Sequence, residues 1–167
     1  TKRGEEHAEL DTAATVRAIA ALIAANGHEV TRVEVSGPLE RVIARLRALA
    51  PDVVFNIAEG LHGTFREALW PAVFEQLRLP HTGSPPSVLA TCLDKALACR
   101  IVAAAGVAVP GAAVAGDGPA IVKPRFEGSS KGITQASVVT DAASLPAAIA
   151  AVRARYPDVV VERYVEG

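Results

Sequence analysis

Apolar residues recur with helical spacing between residues 12 and 26, at Val16, Ile19 and Ile23, with Ala20 and Leu22 filling in. Thr12 is placed to cap the start of that helix and Asn26-Gly27 to stop it. His28 to Val35 then reads as a strand carrying Val30, Val33 and Val35. Residues 38–49 return to the helical pattern with Leu39, Val42, Ile43, Leu46 and Leu49, and Pro51-Asp52 breaks it. Val53 to Ile57 is a short, nearly continuous apolar run, as expected of a parallel strand covered on both faces. A third helix is expected over 64–77, a short strand from Leu79 to Thr82, and a helix over 86–92 after the turn Gly83-Ser84-Pro85-Pro86. This alternation predicts an α/β fold, a doubly wound parallel sheet with right-handed crossovers. The strand that would open such a sheet is missing from the pattern, so residues are expected ahead of Thr1.

The pattern changes near residue 93, which divides the chain into an N-terminal α/β domain over 1–93 and a second, α+β unit over 94–167. Asp94 is placed to cap a helix that runs to Ala105 and ends at Gly106. Strand character follows near Ala112 to Ala115, with Asp117-Gly118 as a hairpin turn. Ala120 to Val122 is a short strand that delivers Lys123, and Pro124 stops it. Val138-Val139 makes a returning strand, Asp141 starts a helix through Arg155, and Pro157-Asp158 turns into a strand over Val159 to Glu162.

Composition narrows the classes. Half of the 167 residues are apolar, aromatics are scarce and methionine is absent, so a core of Ala, Val, Leu and Ile is expected. A formal net charge of -1, with no basic stripe, argues against bulk binding of nucleic acid. No apolar run approaches the roughly 18 residues of a membrane span, and residues 1–7 lack the apolar core of a signal peptide. Cys92 and Cys99, if on one helix, stand roughly 10 Å apart by helical rise, too far for a disulfide. They are read as buried small apolar residues of a chain in a reducing cytoplasm.

The chemistry concentrates in residues 121–133, Ile-Val-Lys-Pro-Arg-Phe-Glu-Gly-Ser-Ser-Lys-Gly-Ile. Glycines let backbone approach a ligand closely, and successive N–H groups in such a turn form a concavity for anions. Lys123 adds a point charge, and Ser129 and Ser130 add hydroxyl donors. The combination suits a polyphosphate under a hairpin lid. It is not a Walker loop, whose Gly-x-x-x-x-Gly-Lys-Ser/Thr pattern is absent.

This segment resembles the glycine-rich loop of the ATP-grasp ligases, and among them of the D-alanine–D-alanine ligases. The likeness is carried by Val-Lys-Pro followed by Glu-Gly-Ser-Ser-x-Gly-Ile, by Leu93-Asp94-Lys95-Ala96-Leu97, and by Glu162-Arg163-Tyr164-Val165-Glu166-Gly167. It spans roughly residues 10–167 and about half of a complete ligase. The resemblance implies that Lys95 and Lys123 contact nucleotide phosphates, with Gly128, Ser130 and Lys131 in the loop around them. It implies that Glu162, with backbone near Arg163 and Val165, recognises the adenine edge. It implies a hydrogen-bonded triad of Ser129, Glu5 and a tyrosine beyond residue 167, and it makes His62 of Leu61-His62-Gly63 a substrate contact. His7, His28 and His81 suggest structural roles only.

The activity so implied is ATP-dependent joining of two amino acids, or of an amino acid and an amine, through an acyl phosphate. Magnesium is expected as cofactor, held by ligands after residue 167, and a homodimer is the assembly the family suggests. The sequence departs from the family in places. The spacing of His62 to Glu67 is one residue short, Asn56-Ile57-Ala58-Glu59-Gly60 differs, Lys131 stands where an apolar residue is common, and Lys95 and Lys123 are closer together. A peptide or amide ligase of specialised metabolism, a non-catalytic nucleotide-binding module and a biotin-dependent carboxylase relative stay open as alternatives.

Overall fold

The structure, a computed structural model, describes residues 11–113 and 118–166. The chain divides into two compact units, one ending at Leu89 and one beginning at Ala90.

In the first unit, α1 (Ala13–Ala25) starts where expected, with the Thr12 hydroxyl accepting from Thr15 N at 3.1 Å. α2 (Leu39–Leu49) ends at Ala50, which takes a left-handed conformation. The helix expected over 64–77 is shorter. A 3₁₀ turn at Arg66–Ala68 precedes α3 (Leu69–Gln76). Pro71 explains the late start, because an earlier helix would need the N–H that proline lacks. α4 (Pro86–Leu93) closes the unit and crosses the division.

The expected doubly wound sheet is not seen among the described residues of this unit. Val54 and His81 form one parallel bridge, through Val54 N to Pro80 O at 2.8 Å and Thr82 N to Val54 O at 2.9 Å. Residues 28–35 have no ladder partner among the described residues. A parallel ladder needs neighbours on successive strands, and one bridge does not propagate. The apolar alternation still does its packing work. Val33, Val35 and Val54 lie against a core of Val42, Leu46, Trp70 and Phe74. That core corrects the expectation of an aliphatic interior. Trp70 and Phe74 stack with ring centroids 6.4 Å apart, and the indole Nε1 donates to Glu59 O at 3.2 Å. His81 tilts against Phe74 at 5.5 Å.

In the second unit, α5 (Lys95–Ala104) is capped by Asp94 as expected. An antiparallel sheet of β1 (Ala120–Pro124), β2 (Val138–Val139) and β3 (Val159–Arg163) follows, in the order β2-β1-β3. Ala112 bridges Glu162, so residues 111–113 line β3 on its other side. The rest of the strand expected over 112–115, and the turn residue Asp117, lie outside the described residues. α6 (Leu145–Arg153) begins later than the expected Asp141. Pro146 fits only the first turn of a helix, and Asp141 instead binds Ser144 through its backbone N and its hydroxyl. α6 packs on the sheet through Val152, which joins the fully buried Val122 and Val139 in one core.

Cys92 and Cys99 stand on different helices, α4 and α5, and both thiols are free. Cys92 is exposed, contrary to expectation, and Cys99 is half-buried. No helix among the described residues is long and apolar enough to cross a membrane.

Candidate functional site

β1 sends alternate side chains to opposite faces. Ala120, Val122 and Pro124 are buried, and Ile121 and Lys123 stand on the face away from them. In the antiparallel register Ile121 lies opposite Glu162 and Lys123 opposite Val160. Lys123 and Glu162 are therefore diagonal neighbours on one face, within reach of a lysine side chain. They form an ion pair. Glu162 is 7% exposed, and the Cys99 thiol of α5 donates to its Oε1 at 3.9 Å. A buried carboxylate needs such partners.

The start of α5 meets the chain that leaves β1. Lys95 Nζ donates to the backbone carbonyl of Glu127. Lys95 N donates to Arg125 O at 3.3 Å. Asp94 accepts from Ala96 N and Leu97 N at 3.1 Å each, capping the helix, and from Arg125 Nε at 2.7 Å and Nη2 at 2.6 Å. Lys131 reaches back to Glu127 at 3.1 Å.

The loop itself turns twice, with Lys131 N on Gly128 O at 2.9 Å and Ile133 N on Ser130 O at 3.1 Å. Ser129 and Ser130 are exposed and both left-handed, with φ of 46° and 57°. Each such residue costs about 1 kcal/mol, a load that surrounding structure has to sustain. Gly132, at φ 73°, sits against Tyr156 and Pro124 and anchors the far end of the loop.

At the end of β3 the backbone is partly engaged. Arg163 N donates to Gly111 O at 2.9 Å, and Tyr164 N to Pro119 O at 2.8 Å. The Arg163 guanidinium lies over Gly111, where a Cβ would come within 3.1 Å of Nη2. Val165 is exposed.

Among the residues singled out by sequence, the second unit thus brings Lys95 to the loop of Gly128, Ser129, Ser130 and Lys131, and Lys123 to Glu162. His62 belongs to the first unit and is exposed on a bend. Glu5 lies outside the described residues. Among the described residues, no group of three or more His, Cys, Asp or Glu could hold a metal ion. Sequence reasoning missed the pairing of Asp94 with Arg125, the part of Glu127 and the approach of Cys99 to Glu162. Asp94 was legible as a cap. Arg125 and Glu127 are ordinary loop residues by pattern, and only the tertiary fold reveals their partners.

Arg125 and the Ala96 and Leu97 amides hold the Asp94 carboxyl below its ordinary value, the Arg125 hydrogen bond first, against the opposing effect of burial. A lowered folded pKa means that Asp94 stabilises the fold above its unfolded value, about 3.9, and that the contribution fades as pH falls through the folded one. Asp94→Asn keeps a capping oxygen and removes the charge. Wild type is expected to melt higher at pH 7, and the gap to close below about pH 4. Melting temperature against pH for both proteins checks this; a gap that persists into acid contradicts it.

No protein-family model matches the chain. The chain is 37% identical over 162 residues to the D-alanine–D-alanine ligase of Sinorhizobium fredii, a match covering 90% of this chain and 50% of that protein. It is 38% identical over 153 residues to that of Sinorhizobium medicae, covering 84% and 47%. Among solved structures it resembles D-alanine–D-alanine ligase from Bacillus anthracis complexed with ATP, with a TM-score of 0.64 at 21% identity over 98% of this chain and 52% of that chain. The chain spans about half the length of the curated relatives it matches.

Proposed function

We propose that this chain, which over nine-tenths of its length is similar to D-alanine–D-alanine ligases, forms the nucleotide-binding part of an ATP-dependent carboxylate–amine ligase of the ATP-grasp fold. In this reading residues 1–93 are the α/β domain that precedes the ATP-grasp, and 94–167 are the central nucleotide subdomain. The observation that carries it is the contact between the Lys95 ammonium and the loop that follows Lys123. Lys95 reaches the serine- and glycine-bearing loop that Lys123 leads into, and Lys131 of that loop pairs with the same Glu127; cations so gathered suit an anion of several charges.

ATP would lie with its phosphates between Lys95, Lys123 and the loop amides of Gly128 to Lys131. These groups neutralise the phosphoryl group as it passes to an amino-acid carboxylate. The acyl phosphate so formed is attacked by the amine of a second amino acid, and phosphate leaves. Closure of the loop excludes the water that would otherwise hydrolyse the intermediate. Glu162 would turn from Lys123 to the exocyclic amine of adenine, with backbone near Arg163 and Val165 completing the edge. Ser129 would join Glu5 in placing the first amino acid. Among the described residues no group of three or more His, Cys, Asp or Glu could hold magnesium. The names of the relatives point to D-alanine as a substrate.

Phosphate release by the protein, measured against a panel of D- and L-amino acids with ATP, tests the reading. Release stimulated by a D-amino acid supports it; ATP binding with no amino-acid-dependent release refutes the ligase activity. Ser129→Ala is expected to lower kcat by about tenfold or more while KM for ATP changes little. Equal losses in both would contradict the assigned role.

A further inference from the structure

Asp94 and Arg125 have no part in the scheme above, yet they hold its two cationic elements together. Asp94 directly precedes Lys95, and its carboxylate caps the helix that carries that lysine. Arg125 leaves β1 two residues after Lys123 and takes both oxygens of the carboxylate, at 2.7 and 2.6 Å. Its backbone is engaged on both sides, with Arg125 N on Asp158 O at 2.9 Å and Arg125 O accepting from Lys95 N at 3.3 Å. The guanidinium also lies 4.9 Å from the Phe126 ring centroid. One residue therefore ties the α5 start, the loop and the entry to β3 to one another.

We propose that Arg125 is a positioning residue of the phosphate site. By engaging Asp94 at two points it fixes the Lys95 ammonium against the loop, and it neutralises the carboxylate adjoining that lysine. A planar guanidinium that binds a carboxylate through two bonds sets orientation as well as charge, which a lysine point charge does not. Without Arg125, Asp94 keeps its helix amides but presents uncompensated negative charge beside a site for phosphate. The inference rests on the nucleotide reading of Lys95.

The test compares wild type, Arg125→Ala, Arg125→Lys, Asp94→Asn and the double variant Asp94→Asn with Arg125→Ala. ATP and adenosine dissociation constants are measured by titration calorimetry, and amide exchange is measured without nucleotide. Arg125→Ala is expected to weaken ATP by about tenfold, the scale on which directly bonded charge partners couple, and to leave adenosine unchanged. Arg125→Lys recovers part of the loss. The double variant binds ATP more tightly than Arg125→Ala alone, because the charge that needed neutralising is gone. Exchange at Lys95 and Glu127 to Ile133 quickens in Arg125→Ala while β3 stays protected.

ATP affinity unchanged in Asp94→Asn while Arg125→Ala shows the full loss would overturn the proposal, since Arg125 would then act on the nucleotide itself. Unchanged ATP affinity together with unchanged exchange would overturn it too. A wild type that binds no ATP removes the nucleotide reading instead, and this inference falls with it.

Discussion

Lys123→Ala is expected to abolish the rise in melting temperature that ATP confers on the protein. A ligand at a hundredfold excess over its dissociation constant stabilises by about 2.7 kcal/mol. At roughly 2–4 °C per kcal/mol for a chain of this size, wild type should rise by about 5–10 °C. The variant loses the ammonium carried by the strand that leads into the loop and leaves the buried Glu162 without its cationic partner. Both effects disfavour a polyphosphate, the first by removing positive charge and the second by leaving a carboxylate uncompensated. The ligand-free variant should also melt lower, because a buried carboxylate stripped of its partner is costly; partial exposure of Lys123 moderates the loss to about 2 kcal/mol. Adenosine separates an effect on the phosphates from a general loss of binding. If it protects wild type and variant alike, the loss belongs to the phosphates. An ATP-induced shift that survives in Lys123→Ala rejects the phosphate assignment.

Gly132→Ala is expected to destabilise the second unit by about 2–4 kcal/mol, combining a left-handed penalty of about 1 kcal/mol with overpacking of about 1–3. The glycine has a φ of 73°, and a methyl group there would fall 2.5 Å from Tyr156 Cε2 and 2.6 Å from Pro124 Cγ. Neither neighbour can give way easily. Tyr156 packs on the Val122, Val139 and Val152 core, and Pro124 is fully buried at the end of β1. The loop must therefore lift off its anchor. Gly106→Ala supplies the control, for it has a φ of 81° but open space around its Cβ position. It should cost only about 1 kcal/mol. Chemical denaturation of both variants checks the difference, and equal midpoints would show that the tyrosine contact carries no weight. Nucleotide affinity should fall in Gly132→Ala and hold in Gly106→Ala.

Local features of this fold were legible because local chemistry controls them. Thr12 and Asp94 cap helices where their hydroxyl and carboxylate find free amides, and β1 stops at Pro124 for want of a donor. Where two local signals competed, periodicity misled. Helical spacing ran through Pro71 and Pro146, but each helix could begin only where a proline fits its first turn. The apolar runs at 28–35 and 53–57 were read as sheet strands; Val33, Val35 and Val54 do pack on the core, but Val53, Phe55 and Ile57 are exposed rather than covered on both faces, and among the described residues the two runs make only the parallel bridge of Val54 with His81, since a ladder depends on a neighbour that the run itself does not contain.

For the site, sequence alone singled out the residues to which the chemistry is assigned in the proposed function: the two lysines, the serine and glycine loop, and the glutamate at a strand end. The tertiary structure alone decided who holds them. Lys123 meets Glu162 because antiparallel register makes them diagonal neighbours. Lys95 meets the loop because Arg125, 31 residues from Asp94, closes on its carboxylate. Such pairings join positions far apart along the chain, so no local pattern encodes them, and they exist only once backbone geometry has brought opposite charges within bonding distance.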